Sequence, residues 1–133
     1  MTPAVVVDTD VISFIFKADT RSAYYLPLLT GKIGVISFMT LAELRQWAQR
    51  RNWGNARRTR LEQFVAGFAV IHSDDRLCSE WAQVTSSSYQ SGYSIGVADA
   101  WIAATASMLS LPLVTNNRSD FAGVAGLRII SHA

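Results

Sequence analysis

The chain has 133 residues, half of them apolar, and its twelve basic and ten acidic side chains leave a net charge of +2. That size suits one compact domain over residues 1–133, since a chain this long buries about two thirds of its unfolded surface. Cys78 is the only cysteine, which excludes an internal disulfide framework and a cysteine-built zinc site; with no basic leader and no apolar run of about 18 to 20 residues, the sequence reads as a soluble, cytoplasmic protein.

In chain order, Val5 to Val7 is a β-branched run that predicts a buried strand, and Val11 to Phe16 begins a connection into a short helix. Tyr24 to Leu29 has helical spacing, made irregular by Pro27 and stopped at Gly31. Ile33 to Phe38 predicts a second strand. Thr40 then stands as an N-cap with Glu43 three residues on, opening a helix through Leu44, Trp47 and Ala48 that Asn52-Trp53-Gly54 ends. Asn55 caps a third helix, whose buried face carries Leu61, Phe64, Val65 and Phe68. Ala69 to His72 predicts a third strand. Ser73 or Asp74 caps a helix through Leu77, Trp81 and Val84, and the serines 86 to 88 with Ser91-Gly92 unwind it as a solvated end. Val97 to Leu109 is the most apolar helix, followed by strands at Leu111 to Val114 and Leu127 to Ile130. Strands alternating with helices predict an α/β fold, a central parallel sheet of about five strands flanked by helices.

Four carboxylates stand at the ends or starts of these elements. Asp8 closes the first strand, Glu43 follows the second, Asp99 opens the most apolar helix, and Asp120 trails the fourth strand. In an open parallel sheet the active crevice lies outside the carboxyl ends of the strands, so all four gather at one edge. Clustered carboxylates repel and hold their protons unless a cation compensates, and a hard divalent ion with oxygen ligands is the natural remedy. Such a site supports hydrolysis of phosphodiester bonds. Each acid also has a structural reading: Glu43 completes a capping box, Asp99 favours the helix dipole, and Asp120 caps a turn. Asp8 is the hardest to explain that way, because a charge at the end of a buried strand needs a partner or a metal.

A second pattern is basic. Arg45, Arg50, Arg51, Arg57, Arg58 and Arg60 cluster with Trp47 and Trp53 between them, and no acid lies between Glu43 and Glu62. Arg50, Arg51, Arg57 and Arg58 are candidates for gripping a nucleic-acid backbone, with Trp53 in an exposed loop for stacking. A docking surface for an acidic protein and a plain solvated helix face are the other readings.

Four segments carry a resemblance: Val6-Val7-Asp8-Thr9-Asp10, Thr40-Leu41-Ala42-Glu43-Leu44, the run from Asp99 to Ala106, and Leu113-Val114-Thr115-Asn116-Asn117 followed by Asp120-Phe121. In that order and spacing the chain resembles the PIN-domain ribonucleases and, within them, the VapC-type toxins of bacterial toxin-antitoxin systems. The resemblance implies an endoribonuclease dependent on Mg²⁺ or Mn²⁺, homodimeric, acting on an RNA substrate and held inactive by a cognate antitoxin. It implies Asp8 and Asp99 as principal metal ligands, with Glu43 and Asp120 completing the acidic quartet directly or through water. Thr9, Thr115 and Asn117 resemble the polar residues that hold the loop network. Asp10 stands where the family often has Asn or Ser, and is read either as a fifth charge or as orienting the Asp8 loop, the second being favoured.

Two other readings compete. Val5 to Asp10 also resembles the first motif of haloacid-dehalogenase-type phosphatases, with Asp8 as nucleophile and Asp10 as general acid, but that chemistry needs a later lysine and only Lys17 and Lys32 exist. A PIN-like module that binds RNA or antitoxin without cutting is the other. A ribonuclease using two histidines has only His72 and His132 to draw on, without companions.

Overall fold

The computed structural model describes residues 2–132; Met1 and Ala133, the ends of the expected domain, lie outside them. Five parallel strands form one sheet in the order β3-β2-β1-β4-β5, with β1 at Ala4–Val7, β2 at Ile33–Ser37, β3 at Ala69–Ile71, β4 at Leu113–Val114 and β5 at Ile129–Ile130. The α/β expectation is met. Because β1 is central, the strand order reverses on either side of it, and the crevice opens at the carboxyl end of β1 and β4.

Strand alternation divides the core into two. Val5 and Val7 face one side with α1 (Thr9–Phe16), α2 (Ser22–Leu29), α3 (Phe38–Arg50) and α4 (Asn55–Val65), while Val6 and Val35 face α5 (Asp75–Gln90) and α6 (Val97–Leu109) on the other. The alternation is the period-2 geometry of a pleated strand buried on both faces. Helix α6 lies against β1 and β2, and its buried Ala100, Ala103, Ala104 and Ala106 keep that approach close. Among the described residues no helix is long and apolar enough to cross a membrane.

Several boundaries differ from the sequence reading, each for a local reason. β2 stops at Ser37, whose hydroxyl accepts the Met39 N–H and caps α3, so Phe38 belongs to the helix. Thr40 is therefore not a cap, and the expected capping box with Glu43 does not form; Thr40 is fully buried in the first turn. Helix α1 starts directly after β1 because Asp8 caps it, leaving no connecting stretch. Gly54, without a side-chain bond, caps α4, with Asn55 as its first residue, and Phe68 falls beyond the helix end. Pro27 lies inside α2, where its missing N–H leaves the Ala23 carbonyl without its usual donor. Asp74 is the cap of α5, its side chain accepting the Leu77 N–H at 2.8 Å. The last two strands, like β3, are shorter than expected.

The serine run is the clearest misreading. Helix α5 continues to Gln90, and Ser88 is fully buried rather than solvated. Its hydroxyl donates to the Tyr93 carbonyl and accepts the Ile95 N–H at 3.0 Å, pinning the turn that leads into α6. Removing one partner strands buried polar groups, so Ser88→Ala is expected to lower stability by about 1–3 kcal/mol in urea unfolding; a loss below the error of the melt would show that the turn holds itself.

Candidate active site

Asp8 is placed by the strand that precedes it and the helix that follows it. Its backbone N–H continues the β1–β4 ladder to the Val114 carbonyl at 2.9 Å, and its Oδ1 accepts the Thr9 N–H at 2.7 Å as the cap of α1. Register then sets its second partner. Val7 pairs with Val114, so Thr115 emerges beside Asp8 and donates its hydroxyl to Asp8 Oδ2 at 2.7 Å. Both residues are buried, Asp8 at 5% exposure and Thr115 at 0%. The same Thr115 oxygen accepts the Asn117 N–H at 3.0 Å, which shapes the loop into the 3₁₀ turn Arg118–Phe121 carrying exposed Asp120. Asn117 joins this loop network through its backbone N–H.

Glu43 arrives from the second turn of α3 and meets α1. The Thr9 hydroxyl lies 2.7 Å from Glu43 Oε1 and 2.9 Å from Thr40 Oγ1. A threonine hydroxyl carries one proton; given to the carboxylate, it leaves the Thr9 oxygen free to accept from Thr40. The two residues read as a capping box thus serve a contact between helices. Asp99 sits half-buried in the first turn of α6, where Gly96 supplies no side-chain cap and the helix dipole favours a negative charge.

Asp10 has a support of its own. Its Oδ1 accepts the Val11 N–H at 2.7 Å and its Oδ2 the Asn116 N–H at 3.1 Å. Asn116 in turn accepts the hydroxyl of Tyr25 at 2.6 Å, and that fully buried phenol accepts the His132 N–H at 3.3 Å. Tyr25 and Asn116 were missed from sequence. Asn116 lay within a quoted motif, but nothing near Tyr25 in the chain signals partners 91 and 107 residues away.

The acids share one electrostatic field. Burial first, then the charge of Asp10, push Asp8 up to about 7, against hydrogen bonds from Thr115 and Thr9. Asp99 is pushed up to about 6 by burial and by Asp120, Glu43 and Asp10. Asp10 is raised as well, chiefly by burial, with the Val11 and Asn116 N–H groups opposing. The structure therefore brings Asp8, Glu43, Asp99 and Asp120 together, with Asp10 as a fifth acid. Among the described residues no three acids close tightly enough to enclose an ion by themselves. A small hard cation keeps several waters and takes one or two oxygen donors directly. The donors are all oxygens, and each Asp8 oxygen, accepting one hydrogen bond, keeps a lone pair.

The arginines lie elsewhere. Arg51 is eight residues beyond Glu43, about 12 Å along α3, and Arg57 and Arg58 are in the first turn of α4. Arg58 Nε donates to the Trp53 carbonyl at 2.7 Å, Arg57 lies over the Trp53 ring, and Arg45 pairs with Glu62 at 2.8 Å. Trp53 is not a free platform in an exposed loop: it is half-buried, stacked on Phe16 at 5.6 Å and 4.6 Å from Trp47. Trp81 and Trp101 stack on each other at 5.2 Å, as packing residues should.

A model of the PIN domain matches residues 5–127. The chain is 31% identical over 124 residues to the tRNA(fMet)-specific endonuclease VapC of Shigella flexneri, covering 91% of this chain and 92% of that protein. VapBC-5 from Mycobacterium tuberculosis, a member of the VapBC family of toxin-antitoxin systems, superposes with a TM-score of 0.72 at 31% identity over 96% of this chain and 98% of that one. VapBC2 from Rickettsia felis, bound to a promoter DNA fragment, superposes with a TM-score of 0.84 over 98% and 99% of the chains; at 22% identity it supports the fold alone.

The raised carboxylates set a pH dependence. Folded Asp8 and Asp99 bind protons more tightly than the unfolded chain, whose carboxylates titrate near 3.8, so their contribution to stability falls as pH rises from about 4 to about 7. Metal-free thermal melts are expected to drop between about pH 5 and pH 8, with Mn²⁺ restoring stability at the higher pH and doing little at the lower. Asp8→Asn should flatten the slope; an unchanged slope would show that the fold does not raise the Asp8 carboxyl.

Proposed function

Because the chain belongs to the PIN-domain family, we propose that it is the toxin of a toxin-antitoxin pair, an endoribonuclease that hydrolyses RNA phosphodiester bonds at the five-acid crevice. The observation that carries this is the convergence of Asp8, Glu43, Asp99 and Asp120 from four distant segments, with Asp8 buried and doubly hydrogen-bonded. Relatives named as a tRNA endonuclease and as half of a toxin-antitoxin complex support the substrate and the partner. The family assignment replaces the phosphatase reading. We place the protein in the cytoplasm, as a homodimer paired with its antitoxin.

In this reading Asp8 and Asp99 hold a divalent cation, Mg²⁺ or Mn²⁺, and Glu43 and Asp120 join directly or through water. When bound, the ion supplies charge neutralisation at the phosphate and lowers the pKa of an attacking water. The chain's residues do the rest. Thr115 and the Thr9 N–H hold the Asp8 carboxylate in one orientation, ready to be shared with the cation rather than with a proton. Thr9 and Thr40 fix Glu43 over the crevice. Asp10, tied to Val11 and Asn116, orients the loop and adds negative charge without needing to ligate.

Incubation with an RNA pool that includes tRNA(fMet) tests the proposal. Cleavage should require Mg²⁺ or Mn²⁺, stop with EDTA, and fall by about two orders of magnitude or more in Asp8→Asn and Asp99→Asn. Thr9→Val should raise the Mn²⁺ needed for half-maximal rate by about tenfold or more, because Glu43 loses its support. A wild-type chain that binds RNA or antitoxin but never cuts would make it the inactive binding module instead.

A further inference from the structure

Helix α2 contributes one fully buried residue, and it is a tyrosine. Tyr25 is the largest side chain wholly buried among the described residues, its ring 6.3 Å from that of Phe14 on α1. Packing by itself asks for no more than a phenylalanine there, and a buried hydroxyl costs free energy unless it is hydrogen-bonded. Here it is bonded to two other parts of the chain. The His132 backbone N–H donates to the phenol oxygen at 3.3 Å, and the phenol donates to Asn116 Oδ1 at 2.6 Å. Because a backbone N–H can only donate, the direction of both bonds is fixed. The Tyr25 proton belongs to Asn116.

Asn116 is the middle residue of a loop bonded at three consecutive positions. The Thr115 hydroxyl donates to Asp8 Oδ2 at 2.7 Å, the Asn116 N–H to Asp10 Oδ2 at 3.1 Å, and the Asn117 N–H to Thr115 Oγ1 at 3.0 Å. The Asn116 side chain is a further handle on that loop, and Tyr25 holds it. Tyr25 is also packed on the helix that bears Asp10, since Phe14 lies one turn beyond Asp10 on α1. The segment after β4 is tied in the same way to the segment after β5: the Thr115 N–H donates to the Ile130 carbonyl at 3.1 Å, and two residues on the His132 ring stacks on Tyr24 at 3.8 Å. Two consecutive tyrosines of α2 thus clasp His132, and one of them reaches through to Asn116.

We propose that Tyr25 is a positioning residue of the acidic crevice: through Asn116 it fixes the loop 115–117, and so the directions in which Asp8 and Asp10 present their oxygens to a divalent cation. The cation rests on the function proposed above; the hold of Tyr25 on the loop does not. The two hydrogen bonds of the phenol go to Asn116 and His132, neither of them an acid, so its influence on the carboxylates passes through Asn116. Without the hydroxyl the ring still fills its place in the core, but residue 116 loses its side-chain anchor. The groups that aim the Asp8 and Asp10 oxygens then gain freedom, and the affinity of a metal site depends on the outer groups that orient its ligands.

Tyr25→Phe deletes the hydroxyl and keeps the ring, and two measurements on the full folded chain separate positioning from packing. In the metal-free chain, amide hydrogen exchange at Asn116 and Asn117 should quicken by about tenfold. Mn²⁺ alone, titrated by calorimetry, should bind about tenfold more weakly than to the wild type. Val65→Ala, a core truncation at the end of α4, supplies the comparison: it should lower the melting temperature without either change. Asn116→Ala removes the same bond from its other end, should reproduce the faster Asn117 exchange and the weaker Mn²⁺ binding, and carries the test if Tyr25→Phe does not fold. In the double variant the second substitution should add little. A Tyr25→Phe chain that melts lower but exchanges and binds Mn²⁺ as the wild type does makes the tyrosine a packing residue and overturns the proposal. So do equal changes in Val65→Ala, or faster exchange with unaltered Mn²⁺ binding. A wild-type chain that takes up no Mn²⁺, with exchange still faster in Tyr25→Phe, refutes the metal reading and leaves the hold on the loop standing.

Discussion

A carboxylate at the end of a buried central strand is the constraint around which this fold is arranged. Burying an ionised group without partners costs several kcal/mol, and such a group sheds its charge unless something compensates. Asp8 has three compensations that come from three levels of structure: the cap of α1, the hydroxyl that the β1–β4 register delivers and, in the proposed function, a divalent cation in the crevice. Each depends on the others. Without the abrupt start of α1 the Thr9 N–H would be elsewhere, and without the parallel register Thr115 would not stand beside Asp8.

The same two helices give the molecule its polarity. Helices α1 and α3 meet at their starts through Thr9 and Glu43, and near their ends through Phe16 and Trp47. Acids gather at the first junction, and cations with aromatic rings at the second. A helix favours negative charge at its start and positive charge at its end, so the segregation follows the dipoles of α1 and α3. The arginines of α4 run against that rule, and two of them turn to Trp53 instead: Arg58 binds its carbonyl and Arg57 lies over its ring.

Much of this was legible in the sequence, and the failures share a cause. The β-branched run at Val5 to Val7 and the small residues of α6 announced a strand and a closely packed helix, because burial on both faces leaves a continuous apolar signature. Placement of Asp8, Glu43 and Asp120 followed from topology, and that of Asp99 from the small residues that let its helix pack closely on the sheet. What could not be read was any contact whose partner lies far along the chain. Thr40 looked like a cap because a local rule fits it, yet its hydroxyl meets Thr9, 31 residues earlier. Ser88 looked solvated because serine runs usually are, and Trp53 looked free because its neighbours are polar; tertiary packing decided both otherwise.

The bond between Thr115 and Asp8 joins residues 107 apart. During synthesis, at about 5–20 residues per second, Asp8 leaves the ribosome many seconds before its partner exists. Asp99, the loop bearing Asp120, and the β4 ladder that sets the register all come late as well. A nascent chain therefore carries Asp8 and Glu43 but no assembled crevice until most of its length has emerged. For a protein whose proposed activity destroys RNA, that order of assembly keeps the growing chain harmless to the machine that is making it.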